Sequence, residues 1–105
     1  MTEDTKSEWQ FAGEGIRRKI LAHNPEAMTV QVEFIEGAYA ELHNHPHVQT
    51  VYVRDGSFEF TIAGESFPVK AGDSLAIPSM AMHDCKCIEA GTLIDSFAPR
   101  RDDFL

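Results

Sequence analysis

The sequence contains little cysteine and few basic residues. Its two cysteines, Cys85 and Cys87, are two positions apart, so in a strand they would point the same way and bridge poorly. This argues against a disulfide framework and favours a reducing compartment. Lys and Arg total 9 against 17 Asp and Glu, which gives a net charge of −8. Such an acidic chain is not expected to have nucleic acid as its main partner.

Long apolar runs are also missing. The longest comprise only a few residues, so no segment is predicted to span a membrane. The start, residues 1–4, is acidic and polar and lacks the basic and apolar regions of a signal peptide. We therefore expect a cytoplasmic location. The 105 residues, 43% of them hydrophobic, predict one domain (1–105) with a modest core, in which residues 1–8 are frayed and 99–105 form a charged tail.

What is present is a series of short β-forming segments separated by turn residues. Turn signals recur roughly every 8–12 residues without a helical period, which favours an all-β sandwich or barrel. Asp55-Gly56 is a strong hairpin signal, and His23 begins a turn that continues to Glu26. The predicted strands are 15–22, 29–35, 38–45, 49–54, 58–62, 65–69, 74–77, 83–88 and 92–97.

Histidines are concentrated where a metal site could form. His43 and His45 would share one face of a strand, because side chains two positions apart project to the same side. Gln49 could join them from beyond the kink at Pro46, and a pairing strand could bring His83 opposite. Three imidazoles and an amide oxygen suit one divalent transition metal ion, namely Mn, Fe, Co, Ni or Zn. A His-x-His pair alone is weak evidence for metal, so the alternative that both are ordinary surface histidines stays open.

The wider spacing resembles the two sequence motifs of the cupin superfamily. In the first, Gly37 is followed after five residues by His43 and His45, then after three residues by Gln49, and after six by Gly56. In the second, five residues separate Gly72 from Pro78, and four more precede His83. The resemblance implies a double-stranded β-helix, a jelly-roll-like β-barrel, with a metal held inside it by His43, His45, Gln49 and His83.

Three positions depart from the cupin pattern. Met80 stands where the second motif usually has glycine, and Cys87 stands where it usually has asparagine. Gln49 replaces the usual glutamate. With neutral imidazoles and a neutral amide, the site would keep about two units of positive charge and attract carboxylate or enolate oxygens. The alternative is that glutamine is a tolerated substitution without functional meaning.

The C-terminal part of the chain offers a second group of candidate residues. Asp95 shares one face of the last predicted strand with Leu93 and Phe97, and Arg101 follows shortly after. An inward aspartate could form a structural ion pair with Arg100 or Arg101. Alternatively, Asp95 is a general acid or base, Arg101 grips a substrate carboxylate, and Phe97 supplies an apolar wall.

A narrower resemblance covers nearly the whole chain. It rests on the stretches 9, 15, 17–23, 43–49, 52–53 and 95–105, which resemble the KdgF-type pectin degradation proteins. The resemblance implies conversion of 4,5-unsaturated uronate monosaccharides to the linear 5-keto-4-deoxyuronate. Asp95 and Arg101 would be catalytic, and Phe97 and Arg101 would bind the small anionic sugar. It also implies a homodimer, which would hide exposed sheet edges.

Two other functions are compatible with the same residues. Cupins also include metal-dependent dioxygenases, which need a redox-active ion, and non-enzymatic ligand-binding barrels. Cys85 and Cys87 share the parity of His83, so either could face the barrel interior as a small hydrophobic residue or as a ligand. His47 is expected at the rim of the site and not as a fifth ligand.

Overall fold

The computed structural model describes residues 8–105. Residues 1–7, which include most of the segment predicted to fray, lie outside the described residues. Eight strands and one short 3-10 turn account for most of the described chain. They are β1 (Gln10–Gly13), β2 (Ile16–Asn24), β3 (Ala27–Phe34), β4 (Tyr39–His43), β5 (Val48–Ile62), β6 (Glu65–Lys70), β7 (Ser74–Ile77), β8 (His83–Ala98) and the turn Asp102–Phe104.

Every strand pairing is antiparallel, so the all-β prediction is confirmed. The pairing order is β1-β2-β3-β8-β5-β6, while β4 joins β8 and β7 joins β5. The long strand β8 is central, because it pairs with β3, β4 and β5. Side chains from these strands therefore converge on one interior.

Alternation of side chains builds the core. On β3 the buried residues are Met28, Val30, Val32 and Phe34, with less buried positions between them. On β8 the face predicted to hold Leu93, Asp95 and Phe97 is buried as expected. The interior is thus apolar, with one carboxyl group placed among apolar side chains.

The hairpin predicted at Asp55-Gly56 is wrong. β5 continues through these residues, and its pairing with β8 shifts register there instead of reversing the chain. Gly56 has φ +84°, and a Cβ on it would lie 2.6 Å from the carbonyl oxygen of Ala90. A Cβ on Gly91 would lie 2.1 Å from the carbonyl oxygen of Asp55. The glycines therefore permit a bulge at which β5 and β8 approach closely.

Further assignments differ from the predictions. The segments 83–88 and 92–97 form the single strand β8, and β1 was not predicted. The predicted strand 38–45 ends at His43, so His43 and His45 do not share one strand. His23 lies within β2, so its assignment to the following turn is also wrong. The described residues contain no helix long and apolar enough to cross a membrane.

Candidate metal centre

Three imidazoles converge at one end of the sheet. His43 ends β4, His45 lies in the loop before β5, and His83 begins β8 directly opposite His43. Their potential ligand atoms all lie within 4.8 Å of one another. His45 and His83 are buried, whereas His43 is exposed. This three-histidine cluster could hold a metal ion.

Backbone carbonyl groups orient all three rings. The Nδ1 atoms of His43, His45 and His83 lie 2.7, 3.0 and 2.9 Å from the carbonyl oxygens of Glu41, His47 and Ala81, respectively. Because a carbonyl oxygen only accepts, each Nδ1 carries the proton and each Nε2 keeps its lone pair. Burial also lowers the pKa of His45 and His83, which favours the neutral form that binds metal.

Gln49 lies beside this cluster. It is buried near the start of β5, and its Oε1 is 3.0 Å from the Nε2 of His45. Since that Nε2 carries a lone pair, two electron-rich atoms face each other, an arrangement that a cation satisfies. The Gln49 amide also acts on the Asp95 carboxyl group, whose pKa it lowers. Because a carboxylate only accepts, the amide N–H is the part of Gln49 suited to face Asp95, and the oxygen is left to face the imidazoles.

The loop before His83 shows why the cupin pattern usually has glycine at position 80. Met80 adopts φ +67°, the left-handed region where glycine carries no steric penalty. Its backbone N–H donates to the carbonyl of His45 at 2.8 Å, and its carbonyl accepts from Asn44 Nδ2 at 3.2 Å. The backbone of Met80 thereby ties the loop carrying His45 to the segment leading into His83.

Asp95 is a buried carboxyl group without an ion-pair partner among residues 8–105. Arg100 pairs with Asp102 at 2.7 Å and Arg101 with Asp103 at 2.8 Å. The structural pairing considered for Asp95 is therefore not observed. Its Oδ1 has no hydrogen-bond partner in the described chain. Burial raises the pKa of Asp95 to about 7, although the Gln49 amide and the charge of Arg101 act in the opposite direction.

One cavity of about 330 Å³ joins most of the predicted site residues. His43, Gln49 and His83 line it together with the second group, Asp95, Phe97 and Arg101. His45 reaches the same region through its contact with Gln49 and packs edge-on against Phe97, with ring centroids 5.7 Å apart. A cavity of this volume suits one small molecule.

Arg18 also lines the cavity, and the sequence reasoning did not select it. The sequence did indicate that Arg18 faces inward, because it lies between Ile16 and Ile20 in a strand and so shares their inward parity. Phe104 of the C-terminal 3-10 turn is a second unselected lining residue. Its position depends on how the tail folds back, which strand alternation does not reveal.

The remaining polar candidates lie outside the cluster. Cys85 and Cys87 both point inward and are buried, and neither belongs to the three-histidine cluster found within residues 8–105. Cys87 Sγ donates to the carbonyl of Glu89 at 3.1 Å. His47 is also outside the group, and its ring packs edge-on against His45 and Phe97.

Comparison with known proteins agrees with this architecture. Residues 30–94 match the family model described as Cupin domain. The pectin degradation protein KdgF of Dickeya dadantii is 41% identical over 104 residues, covering 97% of this chain and 94% of KdgF. The solved structure of KdgF from a Halomonas species has a TM-score of 0.88 and 41% identity, covering 95% of this chain and 93% of that one.

A third similar protein is an RmlC-like cupin from Shewanella frigidimarina. Its crystal structure has a TM-score of 0.91 and 37% identity, covering 95% of this chain and 90% of the other. The matches to these three proteins extend over nearly all of the chain. The chain therefore belongs to the cupin family, within which it is similar to the KdgF pectin degradation proteins.

Proposed function

We propose that the protein is a metal-dependent enzyme that opens the ring of 4,5-unsaturated uronate monosaccharides and yields the linear 5-keto-4-deoxyuronate. The observation that carries the proposal is the place of Asp95, a buried carboxyl group that shares one cavity with the histidine cluster and Arg101. Similarity to proteins named for pectin degradation supports an acidic sugar as substrate.

The residues at the centre fit a divalent transition metal. The Nε2 atoms of His43, His45 and His83 and the Oε1 of Gln49 would hold it, since all four are neutral donors with an available lone pair. When bound, the ion would act as a Lewis acid that polarises substrate oxygens. Because no ligand is anionic, the centre would keep its charge and favour an anionic substrate.

The proposed reaction is an isomerisation that consumes no oxidant, reductant or co-substrate. The anomeric hydroxyl of the sugar loses its proton as the bond between C1 and the ring oxygen breaks, and the electron pair of that bond moves to the ring oxygen, which leaves an aldehyde and an enolate. The enolate then becomes the 5-keto group as C4 gains a proton. Asp95 would accept the proton of the anomeric hydroxyl and deliver the same proton to C4, so the step is balanced.

Arg101 and Phe97 would hold the substrate. Arg101 has five N–H donors, and Asp103 occupies two of them, at 3.0 Å and 2.8 Å. Its guanidinium carbon lies 5.0 Å from the centre of the Phe97 ring, so both side chains belong to one wall of the cavity. Phe97 would contact the apolar face of the sugar, and the remaining N–H groups of Arg101 would reach its oxygens.

The experiment is a direct assay of the metal-loaded protein with unsaturated galacturonate. We expect loss of the absorbance of the conjugated double bond, and a decrease of roughly 10²- to 10⁴-fold in kcat for Asp95→Asn with metal content unchanged. Asp55→Asn is the matched control, because Asp55 is exposed. No acceleration over buffer would overturn the proposal, and oxygen consumption would point to a dioxygenase instead.

A further inference from the structure

Arg18 and Arg17 are adjacent in β2 but face opposite sides of the sheet. Arg17 lies outside, where its guanidinium pairs with Glu33 at 2.8 Å and stacks 3.9 Å from the centre of the Trp9 ring. Arg18 points inward and lines the cavity that contains Asp95. A charged side chain among inward positions of a strand needs a partner, because burial of an unpaired charge is costly.

The contacts of Arg18 hold its guanidinium in place. Its Nε donates to Oε1 of Gln10 at 2.9 Å, and its guanidinium carbon lies 3.6 Å from the centre of the Phe104 ring. Gln10 Nε2 in turn donates to the carbonyl of Phe104 at 2.9 Å. The other N–H donors of the Arg18 guanidinium are therefore held in a fixed position. This reduces the conformational entropy that the side chain would lose on binding a ligand.

Arg18 and Arg101 differ in how their charges are compensated. The Arg101 guanidinium carbon lies 4.2 Å from the centre of the same Phe104 ring, and the Asp103 carboxylate is its two-point partner. Arg18 makes no ion pair within residues 8–105. Burial and the charge of Arg101 both lower the pKa of Arg18, and the charge of Asp103 opposes them without reversing the shift. Within the described part of the chain, Arg18 is therefore a cation without a directly paired anion.

We propose that Arg18 is a further substrate-binding residue, whose guanidinium holds the carboxylate of the sugar against the β2 wall of the cavity. This inference rests on the proposed function, because it assumes that the substrate is an acidic sugar. A guanidinium matches the planar geometry of a carboxylate and can bind it through two N–H groups. Arg101, whose charge is already compensated by Asp103, would then contact other oxygens of the substrate.

A purely structural role for Arg18 makes a different prediction. If Arg18 served only to hold Phe104, replacing either residue would disturb the cavity in the same way for charged and neutral sugars. A carboxylate-binding Arg18 instead discriminates between a uronate and the neutral sugar of the same shape. The ratio of the two affinities therefore separates the roles.

The test uses the metal-loaded protein and calorimetric titration with galacturonate and with galactose. For Arg18→Gln we expect galacturonate binding to weaken by roughly 10- to 100-fold, the range for a hydrogen bond to a charged group, with galactose binding unchanged. Arg18→Lys should recover part of the loss, because it restores the charge. Arg17→Gln is the matched control and should bind both sugars as the wild type does.

Comparison with Phe104→Leu and with turnover completes the design. Unchanged galacturonate binding in Arg18→Gln would overturn the inference. It would also be overturned if Arg18→Gln, like Phe104→Leu, weakened the binding of galacturonate and of galactose by the same factor. The wild-type protein could bind galacturonate through Arg18 and yet not turn over the unsaturated uronate. That result would contradict only the proposed function. Turnover by the wild type with an unchanged KM in Arg18→Gln would contradict only this inference.

Discussion

Gln49 decides the charge of the candidate metal centre. Its oxygen faces His45 at 3.0 Å, and its amide lowers the pKa of the Asp95 carboxyl group. A glutamate at this position would add a negative charge next to both the imidazoles and Asp95. The amide therefore affects two groups of the site together, which is a specific reason for glutamine where cupins usually have glutamate.

At the residue scale, the variant Gln49→Glu tests whether the neutral amide sets the charge of the candidate metal centre. We expect the variant to retain metal more firmly against a chelator, since a carboxylate adds Coulomb attraction to the ion. We also expect kcat/KM for the unsaturated uronate to fall at least about tenfold, because a less cationic centre polarises the substrate less. Metal analysis and the absorbance assay measure the two effects. Wild-type activity in a fully loaded variant would mean that glutamine is a tolerated substitution.

The two cysteines provide a second prediction at this scale. Burial raises the pKa of both thiols, and Asp95 adds to the effect at Cys85. Because the thiolate is the reactive form, both should react with a chromogenic disulfide at pH 8 on the order of 100-fold more slowly than in the unfolded chain. Cys85→Ala leaves Cys87 as the only thiol, so the reaction rate measured in this variant is that of Cys87. Rapid reaction of either thiol in the folded protein would contradict the prediction.

Residue types and spacing revealed part of the site and left part hidden. His43 and His45 were recognisable from their spacing, and Asp95 from its inward parity in a strand. Arg18 had the same kind of signal but lies 25 residues before His43, and no spacing rule links the two positions. Its proximity to Arg101 depends on the C-terminal turn folding back over β2, which is a tertiary contact.

At the scale of elements, the bulge between β5 and β8 distinguishes this sheet from the predicted one. Hydrophobic alternation located strands such as β3 and parts of β5 and β8, because these have one buried face. Asp55-Gly56 resembled a hairpin because the same dipeptide serves both a two-residue turn and a bulge that needs positive φ. Only the backbone of β8 at Gly91, 35 residues later, distinguishes the two outcomes.

Alanine at Gly56 measures the importance of this close approach. Gly64→Ala is the matched control, because Gly64 has φ +87° but no atom within 4 Å of where a Cβ would lie, whereas Gly56 has φ +84° and backbone atoms at 2.6 Å. We expect Gly64→Ala to cost about 1–2 kcal/mol from the positive φ alone. Gly56→Ala should cost about 1–3 kcal/mol more, from overpacking. Equal free energies of unfolding in urea would contradict the described bulge.

At the scale of the whole molecule, an acidic chain surrounds a cavity that contains both arginines and carboxyl groups. The net charge is −8, and the cavity is lined by Arg18 and Arg101 together with Asp84, Asp95 and Asp103. A bound anion would therefore depend on short-range contacts, which salt screens less than long-range attraction. The cavity also explains why net charge alone, which argues against nucleic acid, does not argue against a small acidic ligand.

The homodimer stays a prediction at this scale. Within residues 8–105, β1 pairs only with β2 and so leaves one side of the sheet open. Open edges are commonly covered by pairing of subunits. Light scattering should give about twice the monomer mass of 11.7 kDa at micromolar concentration. A monomer mass at that concentration would contradict the prediction.

Metal binding should stabilise the whole fold, because the candidate ligands come from β4, β5, β8 and the loop between β4 and β5. An ion that binds only the folded state at 100 times its Kd adds about 2.7 kcal/mol to the free energy of unfolding. For a chain of this size that corresponds to a rise in Tm of roughly 10–20 °C. Calorimetry of the metal-loaded and chelator-treated protein measures the difference.

His83→Ala and His23→Ala separate a specific metal effect from general effects of the chelator. His83 belongs to the three-histidine cluster, whereas His23 lies in β2 outside it. His83→Ala should lose most of the metal-dependent rise in Tm, because the ion would lose a ligand from β8 and with it the link to β4. His23→Ala should keep the full rise. If both variants retained it, the stabilising ion would bind elsewhere, and the cluster would not be the site through which metal and fold are coupled.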